Sequence, residues 1–187
     1  MLKLYKKEPD GSLSYAEYWI DRDEVVLHFG KVGELGEKEV KSLNSESEYR
    51  EEFMKLYTSK GYDEVLEQDY YWVIIQYPIK EKFGNKKDFE LIDKVSAVLN
   101  EELGWKGLGE VDGNDIGLTS NPTKEQFALN IFCIVVDEQQ GISVIQKILK
   151  KKRLEYKGMK IASRRNTDDS EYKLKYSTKK GDFEFYE

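Results

Sequence analysis

Two segments that are apolar on both alternating sides constrain the fold more than any other feature of this chain. Residues Tyr70–Tyr77 read YYWVIIQY, and residues Phe127–Val136 read FALNIFCIVV. Successive side chains of a β-strand point to opposite faces of a sheet, and both segments are rich in residues that favour strands. Each segment therefore predicts a strand that is buried on both faces.

Amphipathic helical patterns follow both of these strands. The apolar spacing of residues 89–103 predicts one helix, that of residues 142–149 predicts a second, and Met159–Ser163 predicts a closing strand. With a strand pair between the helices, residues 69–187 have the ferredoxin-like order, strand-helix-strand-strand-helix-strand. This order places both helices on one face of an antiparallel sheet. The N-terminal domain, the C-terminal tail or a second copy of the chain must then cover the other face.

The two ends of the chain are also rich in predicted strands. Glu171–Tyr176 and Phe183–Tyr186 alternate with period two and predict a C-terminal hairpin. Residues 1–67 predict a separate antiparallel meander followed by one helix that begins at a Ser45–Glu48 capping box and ends near Gly61. The fold class is therefore α+β, with domains at 1–67 and 69–187. The predicted strands of the first domain are Leu2–Lys6, Tyr15–Ile20, Val25–Lys31 and Lys38–Leu43.

Composition excludes several classes of protein. One cysteine cannot form an internal disulfide, and one cysteine with one histidine nearly excludes a structural zinc site, which needs four sulfur or nitrogen ligands. No apolar run approaches the roughly 18 residues of a spanning helix, and the N-terminus lacks the pattern of a signal peptide. We therefore expect a cytoplasmic protein with no membrane partner.

The third predicted strand and its surroundings resemble the WGR domain. The resemblance rests on residues 27–36, LHFGKVGELG, on Tyr18-Trp19 one strand earlier, on Phe53 in the helix and on Lys60-Gly61-Tyr62 at its end. It covers about a third of the chain. In the poly(ADP-ribose) polymerases the similar domain contacts DNA, whereas bacterial relatives occur with other domains. The resemblance implies a recognition surface at Trp19, Phe29, Gly30, Lys31 and Tyr62.

The name-giving Trp-Gly-Arg of that family is Phe29-Gly30-Lys31 in this chain. This triplet keeps an aromatic ring, a glycine and a positive charge, but it loses the guanidinium fork of arginine. Residues 1–67 also hold ten Lys or Arg against sixteen Asp or Glu. Affinity for a nucleic acid depends mainly on neutralised phosphates, so these charges disfavour nucleic-acid binding.

Residues 109–117, GEVDGNDIG, resemble a signature of small bacterial ferredoxin-like domains that have no established activity. Trp105 and the loop predicted at Glu110–Asp115 form a second candidate binding surface. Glu110, Asp112 and Asp115 are oxygen ligands of the kind that Ca²⁺ or Mg²⁺ uses, or a carboxylate pair for acid/base chemistry. Asp-Gly and Asn-Asp are also ordinary turn pairs, and we expect no metal or other cofactor.

The chain has few residues of the kinds used in nucleophilic catalysis, and they are far apart in the sequence. His28 and Cys133 fall in different predicted domains, Cys133 is in phase with buried residues, and no Walker-type phosphate loop is present. Residues 147–180 contain thirteen Lys or Arg against four acids. This stretch is either an anion-binding or acidic-partner surface, or a set of solvated lysines at a helix end and on strand faces.

These patterns favour a non-enzymatic interaction protein of bacterial type that acts through contacts with an unidentified protein partner. The rival interpretation is a nucleic-acid-binding accessory protein that uses Phe29 and Lys31. A small-molecule sensor using the ferredoxin-like sheet ranks third, and a hydrolase ranks last. A homodimer through the second sheet is one arrangement that would cover its outer face.

Overall fold

The computed structural model describes residues 2–119 and 126–185 and divides the chain into two compact units. The first unit comprises Met1–Leu66 together with Trp105–Gly107, and the second comprises Glu67–Gly104 together with Leu108–Glu187. Each unit contains one antiparallel sheet, so the predicted α+β class is confirmed. The short segment Trp105–Gly107 was not predicted to belong to the first unit.

The first unit is a four-stranded meander followed by one helix. Its strands pair in chain order, and every neighbouring pair is antiparallel. The Ser45 hydroxyl accepts a hydrogen bond from the Glu48 N–H, so the predicted cap begins the helix. The elements are β1 (Leu2–Lys7), β2 (Leu13–Asp21), β3 (Glu24–Lys31), β4 (Glu37–Ser42) and α1 (Glu46–Ser59).

Helix α1 covers one face of this sheet. Its buried Phe53 and Tyr57 pack against alternate apolar residues of the first three strands. The rings of Tyr18 and Phe53 meet edge to face with their centroids 4.9 Å apart. Burial of this apolar and aromatic surface is the main force that holds the helix on the sheet. The buried strand residues of this core are Leu4, Ala16, Tyr18, Val25 and Leu27.

The second unit is a five-stranded antiparallel sheet with two long helices. Its strands lie in the order β6-β7-β5-β8-β9. Among the described residues, no helix is both long and apolar enough to cross a membrane. The elements are a 3-10 turn (Glu67–Asp69), β5 (Tyr71–Ile79), α2 (Lys86–Gly104), β6 (Gly109–Thr119), β7 (Gln126–Val135), α3 (Glu138–Lys151), β8 (Lys160–Arg165) and β9 (Lys173–Ser177).

Strands β5 and β7 lie side by side in the middle of this sheet. One face of the pair carries Val73, Ile75, Ile131 and Cys133, which are fully buried. Gly141 of α3 lies against the side chain of Val135 on the same face, so the helices cover this side. Because β5 and β7 are apolar on both faces, the other face of the sheet must also be covered. The sequence did not decide which part of the chain covers it, or whether a second copy does.

The chain's own C-terminal segment supplies that cover. The rings of Phe132 and Phe185 have centroids 5.8 Å apart, and the Gln76 amide donates to the backbone carbonyl of Glu184 at 3.0 Å. The predicted hairpin is therefore corrected: β9 pairs with β8, and the described residues 183–185 form no strand. The aromatic side chains of this segment gain more by packing on the sheet face than by extending its edge. Tyr186 lies outside the described residues.

Candidate functional site

A chain of buried polar side chains runs across the face of the first sheet that α1 does not cover. The Glu17 carboxylate lies 2.7 Å from Nδ1 of His28, and Nε2 of His28 lies 2.9 Å from the Tyr15 hydroxyl. Tyr15, His28 and Glu17 are 0%, 1% and 4% exposed. Because a carboxylate only accepts, Nδ1 donates to Glu17, and a neutral imidazole then accepts at Nε2 from Tyr15.

The register of the strands aligns these groups. Lys3 of β1 lies directly opposite Glu17 of β2, which lies directly opposite His28 of β3. Directly paired residues project on the same face with their Cβ atoms about 5 Å apart. The Lys3 ammonium completes the row, 3.0 Å from the Glu17 carboxylate. The buried carboxylate therefore has both a histidine and a lysine to offset the loss of its hydration.

The segment Trp105–Gly107 closes this face through its backbone. The Gly36 N–H donates to the Trp105 carbonyl at 3.0 Å, and the Gly33 N–H donates to the Lys106 carbonyl at 2.8 Å. The Tyr5 hydroxyl donates to the Gly107 carbonyl at 3.1 Å. The indole of Trp105 meets the His28 ring edge to face, with centroids 4.8 Å apart.

Two glycines permit this close approach. Gly107 has φ +61°, and a Cβ there would overlap the Tyr15 ring. A Cβ at Gly36 would overlap both the Tyr15 hydroxyl and Nε2 of His28. Side chains at either position would push the segment away from the sheet, so the geometry requires glycine at both.

The order carboxylate, imidazole, hydroxyl is that of a catalytic triad, but the environment opposes nucleophilic chemistry. Burial, with a smaller contribution from the Glu17 charge, raises the pKa of the Tyr15 hydroxyl well above its usual range. The hydroxyl therefore stays protonated, and its complete burial denies it contact with a substrate. The row of polar groups favours a structural role, fixing the segment that carries Trp105.

A cluster of partly exposed apolar side chains lies beside this buried row, on the same face of the sheet. Trp19, Val26 and Val40 lie side by side on β2, β3 and β4, on the face opposite α1. Trp105 packs beside them, its ring centroid 6.4 Å from that of Trp19. Trp105 is 37% exposed and Val40 is 45% exposed. We name Trp19, Val40 and Trp105 the tryptophan patch.

The structure divides the predicted N-terminal surface between the two faces of the sheet. Phe29 and Tyr62 pack against the α1 core, and the Tyr62 ring lies 5.2 Å from that of Tyr57. Trp19 lies on the opposite face with His28. Trp19 and Trp105, which the sequence assigned to separate surfaces, are brought together.

Gly30 and Lys31 end strand β3 beside the buried row. Gly30 pairs with Tyr15 across the strands, and its backbone lies close to Gly36. The exposed Lys31 ammonium lies 3.7 Å from the Asp10 carboxylate. A nearby acid partly offsets the charge that a phosphate would need, and the phenyl ring of Phe29 is only partly accessible for stacking.

Glu110, Asp112 and Asp115 lie on a strand rather than in the predicted loop. They belong to β6, which pairs with β7 and has an irregularity between Val111 and Gly113. Pairing along a whole edge outweighs the weak strand preference of Gly, Asn and Asp. Five strand residues span roughly 16 Å, so Glu110 and Asp115 cannot share one ion. Among described residues no group of three or more His, Cys, Asp or Glu side chains could hold a metal.

The sequence interpretation missed Tyr15 and Glu17. A signal for them existed: Glu17 is a charged residue inside an aromatic strand, in phase with Tyr15 and Trp19 on the same face of the sheet. A buried carboxylate needs a partner, and the chain has one histidine on the neighbouring strand. Cys133, by contrast, is fully buried as predicted, and burial raises the pKa of its thiol far above the ordinary range.

Comparison with family models, with curated proteins and with solved structures finds no match to this chain. The relationship of the first unit to WGR domains, and of the second to ferredoxin-like domains, therefore stays a prediction.

Proposed function

We propose that this protein is a non-enzymatic binding protein that acts through protein contacts made by the tryptophan patch. The observation that carries the proposal is the exposure of Trp105 and Val40 beside Trp19 on one sheet face. Tryptophan is enriched among the residues that dominate binding energy, because its large apolar surface has few rotatable bonds. A cytoplasmic location is part of the same proposal.

Trp105 is held in place in the free protein. Backbone hydrogen bonds from Gly33 and Gly36 hold the segment that carries Trp105, and the His28 ring supports its indole. The Glu17 carboxylate in turn fixes the orientation of that imidazole. Side chains already ordered in the free protein lose little entropy on binding, which favours affinity for a protein surface of matching shape.

Nucleic-acid binding by the first unit is the weaker candidate. It would need Phe29 to stack on a base and Lys31 to meet a phosphate. Phe29 instead packs against the α1 core, and Lys31 lies near Asp10. The acidic balance of residues 1–67 adds repulsion toward a polyanion.

Affinity capture from nuclease-treated native lysate, with the full chain immobilised, tests the proposal. We expect a captured protein to be retained by the wild type and lost with Val40→Lys, which places a charge in the patch. Leu56→Lys is the matched control, because Leu56 is 48% exposed on α1 at the opposite face. Both sites are exposed, so both variants are expected to fold.

Two results would count against protein contacts at the patch. One is equal loss of capture by both variants. The other is a complex that needs intact nucleic acid and weakens steeply between about 50 and 200 mM salt, as phosphate-driven binding does. Gel shifts with duplex and single-stranded DNA, comparing wild type with Phe29→Ala, would then establish the rival function.

A further inference from the structure

The second unit contains a cleft of about 650 Å³ at one end of its sheet. This volume is typical of sites that take small organic molecules. The cleft is formed by the end of β5, the start of β7, the connection into β8 and the turn after β9. The described residues that line it are Gln76, Pro78, Ile79, Lys80, Gln126, Phe127, Ala128, Lys157, Gly158, Lys160, Lys179, Lys180 and Gly181.

Five of these lining residues are lysines, and none is acidic. In the described part of the chain, none of the five ammonium groups makes an ion pair with a carboxylate. The whole chain has a net charge of −6, so this concentration of positive charge is local. Like charges converging on a concave surface repel one another and raise the local concentration of anions. The lysines are Lys80, Lys157, Lys160, Lys179 and Lys180.

Hydrogen bonds hold the backbone that carries these lysines. The Gly158 N–H donates to the Thr178 hydroxyl at 2.8 Å, and that hydroxyl donates to the Tyr156 carbonyl at 2.9 Å. The Thr178 N–H donates to the Met159 carbonyl at 3.0 Å. The turn with Lys179 and Lys180 is thereby fixed beside the connection with Lys157. These hydrogen bonds hold Lys157, Lys179 and Lys180 close together in the absence of a ligand.

The remaining wall of the cleft is mainly apolar, with Gln76 and Gln126 as its polar members. Pro78, Ile79, Phe127 and Ala128 contribute carbon surface, and Gln76 contributes a carboxamide whose nitrogen donates to Asn130 and to the Glu184 carbonyl. A small inorganic anion would contact only the lysines. A ligand that uses the whole cleft carries both concentrated negative charge and an apolar or planar part.

We propose that this cleft binds a small organic molecule with two or more phosphate groups, such as a nucleoside di- or triphosphate. The lysines meet the phosphates as point charges, and the apolar wall receives the organic part. The concave shape and the volume favour a small molecule over a polymer. The proposal does not depend on the tryptophan patch, which lies on the other unit.

Titration calorimetry with the full chain at about 50 mM salt tests the proposal. The probes are inorganic phosphate, pyrophosphate, ADP and ATP. We expect affinity to rise with the number of phosphates and to be higher for ADP than for pyrophosphate, because only ADP reaches the apolar wall. Lys179→Gln with Lys180→Gln should weaken ATP binding about tenfold or more, as should Lys80→Gln with Lys157→Gln.

The matched control removes the same charge elsewhere on the unit. Lys150 and Lys151 are exposed at the end of α3 and do not line the cleft. The pair Lys150→Gln with Lys151→Gln should change the ATP dissociation constant less than twofold. All six substituted lysines are exposed, so each variant is expected to fold.

Three outcomes would overturn the proposal. One is the absence of binding by any organic phosphate at millimolar concentration. A second is equal weakening by the cleft pairs and the control pair, which would indicate general electrostatic attraction. A third is affinity for single-stranded oligonucleotides that rises with length and exceeds that for ATP, which would identify a polymer surface.

Discussion

In both units a sheet has a second face that no helix covers, and a different kind of segment covers that face in each unit. One helix covers one face of the first sheet, and two helices cover one face of the second. A short stretch of chain covers the other face: Trp105–Gly107 in the first unit and residues 183–185 in the second. The first cover closes over buried charges and makes its contacts largely through backbone carbonyls. The second closes over aromatic rings and an amide, and makes its contacts through Phe183 and Phe185.

This difference determines how each cover tolerates change. A backbone cover over charged groups depends on close approach and on complete pairing, because an unpaired buried charge costs several kcal/mol. An aromatic cover depends on area and loses stability in proportion to the surface removed. We therefore expect sharp failure in the first unit and graded loss in the second.

The largest effect should follow Gly107→Val. The added side chain overlaps the Tyr15 ring, and φ +61° strains any residue with a Cβ. We expect a loss of about 3 kcal/mol or more in the free energy of unfolding, measured in urea by tryptophan fluorescence. Gly104→Val is the control, because a Cβ at Gly104 meets nothing within 4 Å. Equal stability of the two variants would show that the cover is not closely packed.

A smaller loss should follow Glu17→Ala. The change leaves Lys3 and buried His28 without their acceptor, at a cost of about 2–3 kcal/mol in unfolding free energy. Glu39→Ala removes an exposed partner of Lys41 at 3.4 Å and should cost less than about 0.5 kcal/mol. If the two variants lost the same unfolding free energy, the buried carboxylate would contribute no more to stability than an exposed one.

In the second unit, Phe185→Ala should cost about 1.5 kcal/mol in unfolding free energy. The substitution removes ring contacts with Phe132 at 5.8 Å and with Tyr172 at 5.4 Å from a half-buried site. Phe83→Ala serves as the control, because Phe83 is 77% exposed. If urea denaturation finds the two variants alike, the C-terminal segment adds no stability to its sheet.

The smallest effect concerns alkaline pH. Burial raises the pKa of the Cys133 thiol in the folded chain, whereas an unfolded thiol ionises near pH 8.5. The folded state then holds a proton that the unfolded state releases, so stability falls as pH rises through this range. Between about pH 8.5 and 9.5 we expect Cys133→Ala to lose about 1 kcal/mol less stability than the wild type. Parallel pH curves for both proteins would disprove this linkage.

Periodicity and caps were sufficient to predict most elements of the fold. The Ser45 cap, the meander and the two-faced strands β5 and β7 all occur where the sequence placed them. Patterning treats each charged residue as solvated, so it left Glu17 unassigned. It also reads turn-forming residues locally, so it predicted a loop where long-range pairing with β7 makes Glu110 part of a strand.

The candidate sites were harder to predict than the elements. Trp105–Gly107 has no periodicity, and its role depends on backbone groups that every residue possesses. The cleft in the second unit is lined by lysines that are up to about a hundred positions apart in the sequence, from Lys80 to Lys180. The sequence showed an excess of lysine and arginine in residues 147–180, but not that five lysines converge on one concavity.

Because Trp105–Gly107 belongs to the first unit, this unit cannot complete its fold early in synthesis. When residue 66 has left the ribosome, β1–β4 and α1 are complete in sequence, but the face with Tyr15, Glu17 and His28 still lacks its cover. About forty more residues must be added, which takes roughly 2–8 seconds at typical elongation rates. The N-terminal unit is thus the first to begin folding on the ribosome, and it cannot finish until the chain is more than half made.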